Sequence, residues 1–134
     1  MQKTHGTVYV LELEGGKYYV GHTKETDLKR IMEHGNGRNS AMWTKLNKPV
    51  RIVKHSPGST MDEDRMTIHA MEVYGWNNVR GGKWCLTEMK NPPRELLQNG
   101  LLKDTEGCER CNRTGHTDAM CLWNTDVHGD AIFT

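Results

Sequence analysis

The sequence predicts an α/β fold: a small three-stranded antiparallel sheet flanked by helices, followed by a small Cys/His-rich element. Three observations predict it. Two runs rich in β-branched and aromatic residues, TVYVLEL at 7–13 and KYYVG at 17–21, flank Glu14-Gly15-Gly16, the composition of a hairpin with a tight turn. Residues 60–74 combine a capping residue, an apolar stripe and a terminal glycine, the marks of a helix. Near the C-terminus Cys108, Cys111, His116 and Cys121 stand at Cys-x2-Cys-x4-His-x4-Cys spacing. Three thiolates and an imidazole suit tetrahedral zinc and leave no coordination position for a substrate, so the metal is structural.

The elements follow in order. After the hairpin, Thr26 or Asp27 caps a helix over 26–35, with Leu28, Ile31 and Met32 as its apolar stripe and Gly35 as its stop. Residues 36–48, rich in Asn and Gly, read as a loop around Trp43. VRIVKH at 50–55 alternates after Pro49 and makes the third strand. Ser59 or Thr60 caps the helix over 60–74, where Asp62, Glu63 and Asp64 complement the N-terminal dipole. WNNVRGGKW at 76–84 reads as irregular. Residues 86–107 read as a linker containing Pro92-Pro93 and a short helix near Arg94–Asn99. The chain therefore divides into a domain at 1–85, a linker at 86–107 and a zinc element at 108–134.

Composition narrows the class. In 134 residues, 35% hydrophobic content supports a modest core, and no apolar run reaches the length of a membrane helix. The opening MQKTHGTVYV has no signal-peptide core. With three of the four cysteines assigned to a metal, Cys85 has no disulfide partner, which points to a reducing, cytoplasmic environment. The net charge of +1 hides an uneven distribution: seven Lys or Arg and a single acid, Glu33, lie between Lys29 and Lys54. Such a local excess, including Lys45, Lys48 and Arg51, attracts phosphates with an affinity that falls as salt rises.

Val8-Tyr9 and Tyr19-Val20-Gly21 on the hairpin, followed by Leu28-x-Arg30-x3-His34, resemble the GIY-YIG nuclease family across residues 6–85. Thr7-Val8-Tyr9 stands where that family has Gly-Ile-Tyr, and Tyr19-Val20-Gly21 stands for Tyr-Ile-Gly. CERCNRTGH resembles the zinc knuckles of nucleic-acid-binding proteins, including Gly115 before His116, although Glu109 and Met120 replace the usual stacking aromatics. Trp123 lies just outside. The combination is similar to small nucleases of large DNA viruses and phages.

The resemblance implies a metal-dependent endonuclease that hydrolyses phosphodiester bonds, with DNA favoured over RNA. Tyr9 is then the base or water-orienting group, Arg30 the phosphate clamp, and Tyr19 and His34 supporting groups. Glu63 is the ligand of one Mg²⁺ or Mn²⁺, an ion that takes oxygen donors and keeps several waters. Strand alternation puts Tyr18 on the opposite face from Tyr19. At about 100° per residue, Glu63 falls on the core-facing arc of its helix and Glu72 on the wet side. A carboxylate on a core-facing arc needs a cation or hydrogen bonds, which selects Glu63 over Glu72. The family register sets Thr67 where the glutamate usually stands, one turn later. Asn77, Asn78, Arg80 and Gly81-Gly82 form a second polar loop whose amides suit either a phosphate or a helix-ending turn. Two other readings stay open: an inactive nuclease scaffold that binds nucleic acid, and a zinc-stapled interaction module. Assembly state is left open too.

Overall fold

The computed structural model describes residues 6–24, 32, 42–97, 108–113, 116 and 120–132. The hairpin forms as read. Strands β1 (Thr7–Leu13) and β2 (Lys17–Thr23) pair antiparallel, with Tyr9 opposite Gly21 and Leu11 opposite Tyr19. Gly15 and Gly16 in the turn have φ of 79° and 74°, a region that glycine enters without steric cost. Strand β3 (Pro49–Pro57) pairs antiparallel with the other edge of β1, with register shifts after Val10 and Glu12.

The fold is α/β, but the sheet has four strands, and it is mixed where three antiparallel strands were expected. Strand β4 (Val79–Gly81) lies parallel to β2 and gives the order β3-β1-β2-β4. Val-Arg-Gly is too short to show a period of two. Its pairing is supplied by a partner some sixty residues away in the chain, reached by a helical crossover of the kind parallel strands need. A second difference lies at 42–46, where the expected loop contains a short helix, α1 (Met42–Leu46). Trp43 there is a core residue, and its indole N–H donates to the Tyr18 carbonyl at 2.8 Å. The helix expected over 26–35 lies outside the described residues apart from Met32, which packs against the cluster of Tyr9, Leu11, Leu13 and Trp43.

Helix α2 (Thr60–Tyr74) starts in a reciprocal capping box: Ser59 accepts from the Asp62 amide, and Asp62 accepts from the Ser59 amide. It ends at Gly75, with φ of 96° and its N–H on the Met71 carbonyl. The pleat divides the sheet into two faces. Val8, Val10 and Val20 meet Met66, Ala70 and Met71 of α2 on one face, while Tyr9, Leu11, Leu13 and Trp43 form the other. Tyr18 lies on the α2 face, as alternation predicts, stacked on Tyr74 with centroids 3.7 Å apart.

Six consecutive residues of α2, Met66 to Met71, are buried. A helix advancing 100° per residue cannot bury six in a row against one sheet. Its far side is covered by the C-terminal segment: Leu122 joins the main core cluster and Met120 packs beside it. Glu72, expected on a wet side, is therefore half-buried, and its Oε1 has no partner among the described residues. Met89 and Leu96, in the stretch read as a linker, also pack on this cluster, and α3 (Arg94–Leu97) supplies its short helix.

Candidate functional site

The first group of polar residues is built on the tyrosine face. Tyr9 and Tyr19 come from neighbouring strands, with ring centroids 6.4 Å apart. The Tyr9 ring crosses β2 directly over Gly21, where an added Cβ would overlap the Tyr9 hydroxyl and ring and lie 2.9 Å from the edge of Tyr19. The glycine of Tyr19-Val20-Gly21 is thus what lets Tyr9 reach across the sheet toward β4.

Glu63 arrives from the first turns of α2. Its Oε2 accepts the Gly82 N–H at 3.2 Å, and the adjacent Asp64 accepts the Lys83 N–H at 3.0 Å. Gly82, at φ of 51°, leaves no room for a Cβ, which would overlap Asp64. The Gly81 N–H goes to the Trp84 carbonyl. The two glycine amides are engaged within the protein, and the loop serves to receive the acids of α2.

The electrostatics link these groups. Burial first, and then the Glu63 charge, pushes Tyr9 up to about 12. Tyr19 is raised further by burial, by Tyr9 and by Glu63. Burial also raises Glu63, against the lowering effects of the Gly82 amide and His22. Two phenols from β1 and β2 and a carboxylate from α2 therefore share one electrostatic neighbourhood. At neutral pH both phenols keep their protons and act as hydrogen-bond donors and weak acceptors. Glu63 is thus a half-buried carboxylate held by one backbone amide, and a carboxylate is the type of oxygen ligand that a hard divalent cation takes.

His22, which sequence reading did not single out, joins this neighbourhood through its effect on Glu63, and its Nε2 lies 3.0 Å from the Gly58 carbonyl. No local pattern marks it, because it meets Glu63 only through the packing of α2 on β2. Arg30 and His34 lie outside the described residues.

Arg80 is engaged inside the protein. It is 1% exposed, and its guanidinium donates to the carbonyls of Trp76, Val79, Leu86 and Thr87 while stacking 4.5 Å from the centroid of the Trp43 ring. Among the described residues no carboxylate pairs with it. It ties 76–80 to 86–87 and stands beside Tyr19 in the ladder. Next to it a cleft of about 500 Å³ opens, lined by Lys17, Trp43, Asn47, Asn77 and Thr87 among others.

The second group is the cluster of Cys108, Cys111, His116 and Cys121. All four are buried, and their ligand atoms lie within 4.8 Å of one another. The surroundings suit thiolates. The Arg110 and Cys111 amides approach Cys108 Sγ at 3.3 and 3.5 Å, and the Arg110 guanidinium approaches Cys121 Sγ at 3.3 Å. Asn112 turns the loop at φ of 66°. Burial pushes the Cys108 thiol up to about 11, so it keeps its proton until a cation displaces it. A metal such as zinc fits this donor set and would cross-link 108–121. Behind it lies His69 of α2, whose ring stacks on His116 with centroids 3.9 Å apart. Burial, and next the neighbouring His116, lowers His69 to about 2, so the ring stays neutral and its Nε2 accepts the Leu122 N–H at 2.8 Å.

No family model matches the chain, and no solved structure matches it. It is similar to a UPF0213 protein of Streptococcus pneumoniae, 33% identical over 64 residues, which is 48% of this chain and 62% of that protein. A UPF0213 protein of Staphylococcus saprophyticus is 34% identical over 56 residues, 42% of this chain and 66% of the relative. One of Staphylococcus epidermidis is 28% identical over 67 residues, 50% of this chain and 79% of the relative. The chain thus spans 62% of the length of the pneumococcal relative, and its similarity to UPF0213 proteins covers about half of itself.

Proposed function

We propose that the protein is a metal-dependent endonuclease of the GIY-YIG type that hydrolyses phosphodiester bonds of nucleic acid, DNA in preference to RNA. The observation that supports this reading best is the pairing of Tyr9 and Tyr19 over Gly21, with Glu63 anchored on the Gly82 amide next to β4 and its charge raising both phenols. Bound at Glu63, Mg²⁺ or Mn²⁺ would neutralise charge at phosphorus and ease departure of the 3′-oxygen. The Tyr9 oxygen orients the attacking water, and its raised pKa makes it a water-holder first and a base only as a nearby positive charge favours the phenolate. Tyr19 holds the neighbouring hydrogen bonds. Arg30 clamps the phosphate with its planar fork, and His34 assists, both by the family resemblance. The cleft beside Arg80, with Lys17 and two asparagines in its lining, offers room for the strand next to the scissile bond. The zinc element helps to grip the nucleic acid.

The test is plasmid cleavage in Mg²⁺ by wild type, Glu63→Gln and Arg30→Ala. Each substitution is expected to cost about a hundredfold or more in rate, the scale of one lost electrostatic stabiliser. Glu63→Gln cutting at the wild-type rate overturns the assignment of Glu63. One observation favours a second reading, a nucleic-acid-binding protein on an inactive nuclease scaffold: both tyrosines are pushed away from the range of a general base. Salt-dependent DNA binding by wild type with no cleavage in Mg²⁺ or Mn²⁺ selects that reading.

A further inference from the structure

We propose that the C-terminal Cys/His cluster is a metal-dependent brace on α2, the helix that bears Glu63, and that His69 is the residue through which the brace holds. A zinc loop that merely gripped nucleic acid would need only its own four ligands. This one is built into the core of the domain, and the coupling goes beyond the nuclease reading because it holds whatever the protein acts on.

Two of the four ligands reach α2 by separate routes. Cys121 is followed by Leu122, which is buried in the main cluster with Val8, Met66 and Met71. The Leu122 N–H is donated to His69 Nε2 across 53 positions of chain. His116 reaches the same ring directly by stacking, at 3.9 Å between centroids and 25° between planes. His69 is fully buried near the middle of α2, so neither contact is a surface ornament. A buried amide or imidazole that loses its partner is left desolvated and unpaired, at a cost to the fold. Breaking the cluster therefore penalises α2 as well as the loop.

The geometry of α2 makes it depend on this cover. Its six consecutive buried residues need two walls, and the sheet supplies only one. Leu122 and Met120 beside the cluster supply part of the other, with Met89 and Leu96, and they do so only while the ligands are gathered, because three thiols and an imidazole have little reason to converge without a cation. Glu63 lies six residues before His69, about 9 Å along the helix axis at 1.5 Å per residue. Loss of the metal is thus felt in the helix that positions the candidate catalytic carboxylate, without any ligand touching that carboxylate.

Hydrogen exchange read by mass spectrometry tests this on the full chain, comparing zinc-loaded protein with the same protein after chelation. Exchange in peptides covering 66–72 is expected to rise at least tenfold on zinc removal, whether or not the sheet follows. His69→Leu, at unchanged zinc content per chain, is expected to raise exchange in the same peptides, and His69→Gln to recover part of the protection because its amide oxygen accepts the Leu122 N–H. If the His69 variants fail to fold, Cys108→Ser abolishes metal binding without touching α2 and is expected to reproduce the effect of chelation. Exchange in 66–72 that is unchanged by chelation and by Cys108→Ser overturns the proposal. So does a well-folded His69→Leu with wild-type exchange. None of these readings depends on cleavage, so failure of the nuclease reading leaves them intact.

Discussion

The two polar centres of this protein are assembled in opposite ways. At the Cys/His cluster the four candidate ligands fall within fourteen residues, from Cys108 to Cys121, and the donors that face its sulfurs, Arg110 and Cys111, come from the same loop. At the other centre Tyr9 and Tyr19 come from β1 and β2, Trp43 from α1 and Glu63 from α2 across the sheet, and each is set in place by something distant: Tyr9 by Gly21, Glu63 by Gly82, Trp43 by Arg80. The first centre is local and needs an ion to close. The second is non-local and needs the whole sheet. Substitutions that loosen the sheet should therefore separate the two, harming the tyrosine face while metal binding at the cluster persists.

The largest separation is expected from Arg80→Met. It removes a buried cation and leaves the carbonyls of Trp76, Val79, Leu86 and Thr87 without their donor. A loss of about 3 kcal/mol or more is expected in denaturant unfolding, since several buried acceptors are orphaned together. A cost below about 1 kcal/mol would show that the guanidinium is dispensable and that β4 is held by its ladder alone.

Gly21→Ala is expected to cost about 1–3 kcal/mol, the range of overpacking, by pushing its methyl into the Tyr9 ring. The effect should shrink in a Tyr9→Leu background, so a double-mutant cycle measures the contact directly. Additive effects would mean that Tyr9 does not lie over Gly21. Zinc content should be unaltered in both variants.

The smallest effect concerns alkaline pH. All four tyrosines are raised above the ordinary value, Tyr9 and Tyr74 to about 12, with burial the leading cause in each. Unperturbed phenols would be about half ionised at pH 10. A near-ultraviolet absorbance titration of metal-free protein should instead show less than about one tyrosinate per chain there. The sign of the linked stability follows: the unfolded state ionises first, so stability is full below pH 10 and is lost as pH rises from about 10 through 12. About two tyrosinates per chain at pH 10 would place the phenols in water, away from the site described.

Much of this could be read without coordinates. The hairpin turn at Gly15-Gly16, the Ser59–Asp62 cap and the Gly75 stop are matters of a few neighbouring residues. The two tyrosines share a face because strand side chains alternate, and the Cys/His cluster, with a donor set that could hold a metal, declares itself by spacing. The rest had no local sign. Val79–Gly81 is too short to look like a strand, and Arg80 has the same composition whether it holds a phosphate or four carbonyls. Glu72 was placed in water because the helical wheel assumes one buried side, and α2 has two.

The short-range half of the architecture is therefore written in turn chemistry, capping and periodicity, whose energies arise between residues a few positions apart. The long-range half is the Glu63 carboxylate on Gly82, 19 positions away, and the Leu122 amide on His69, 53 positions away. Such contacts form because packing α2 between the sheet and the Cys/His loop brings these buried polar groups together, and no window of neighbouring residues contains both ends of either contact.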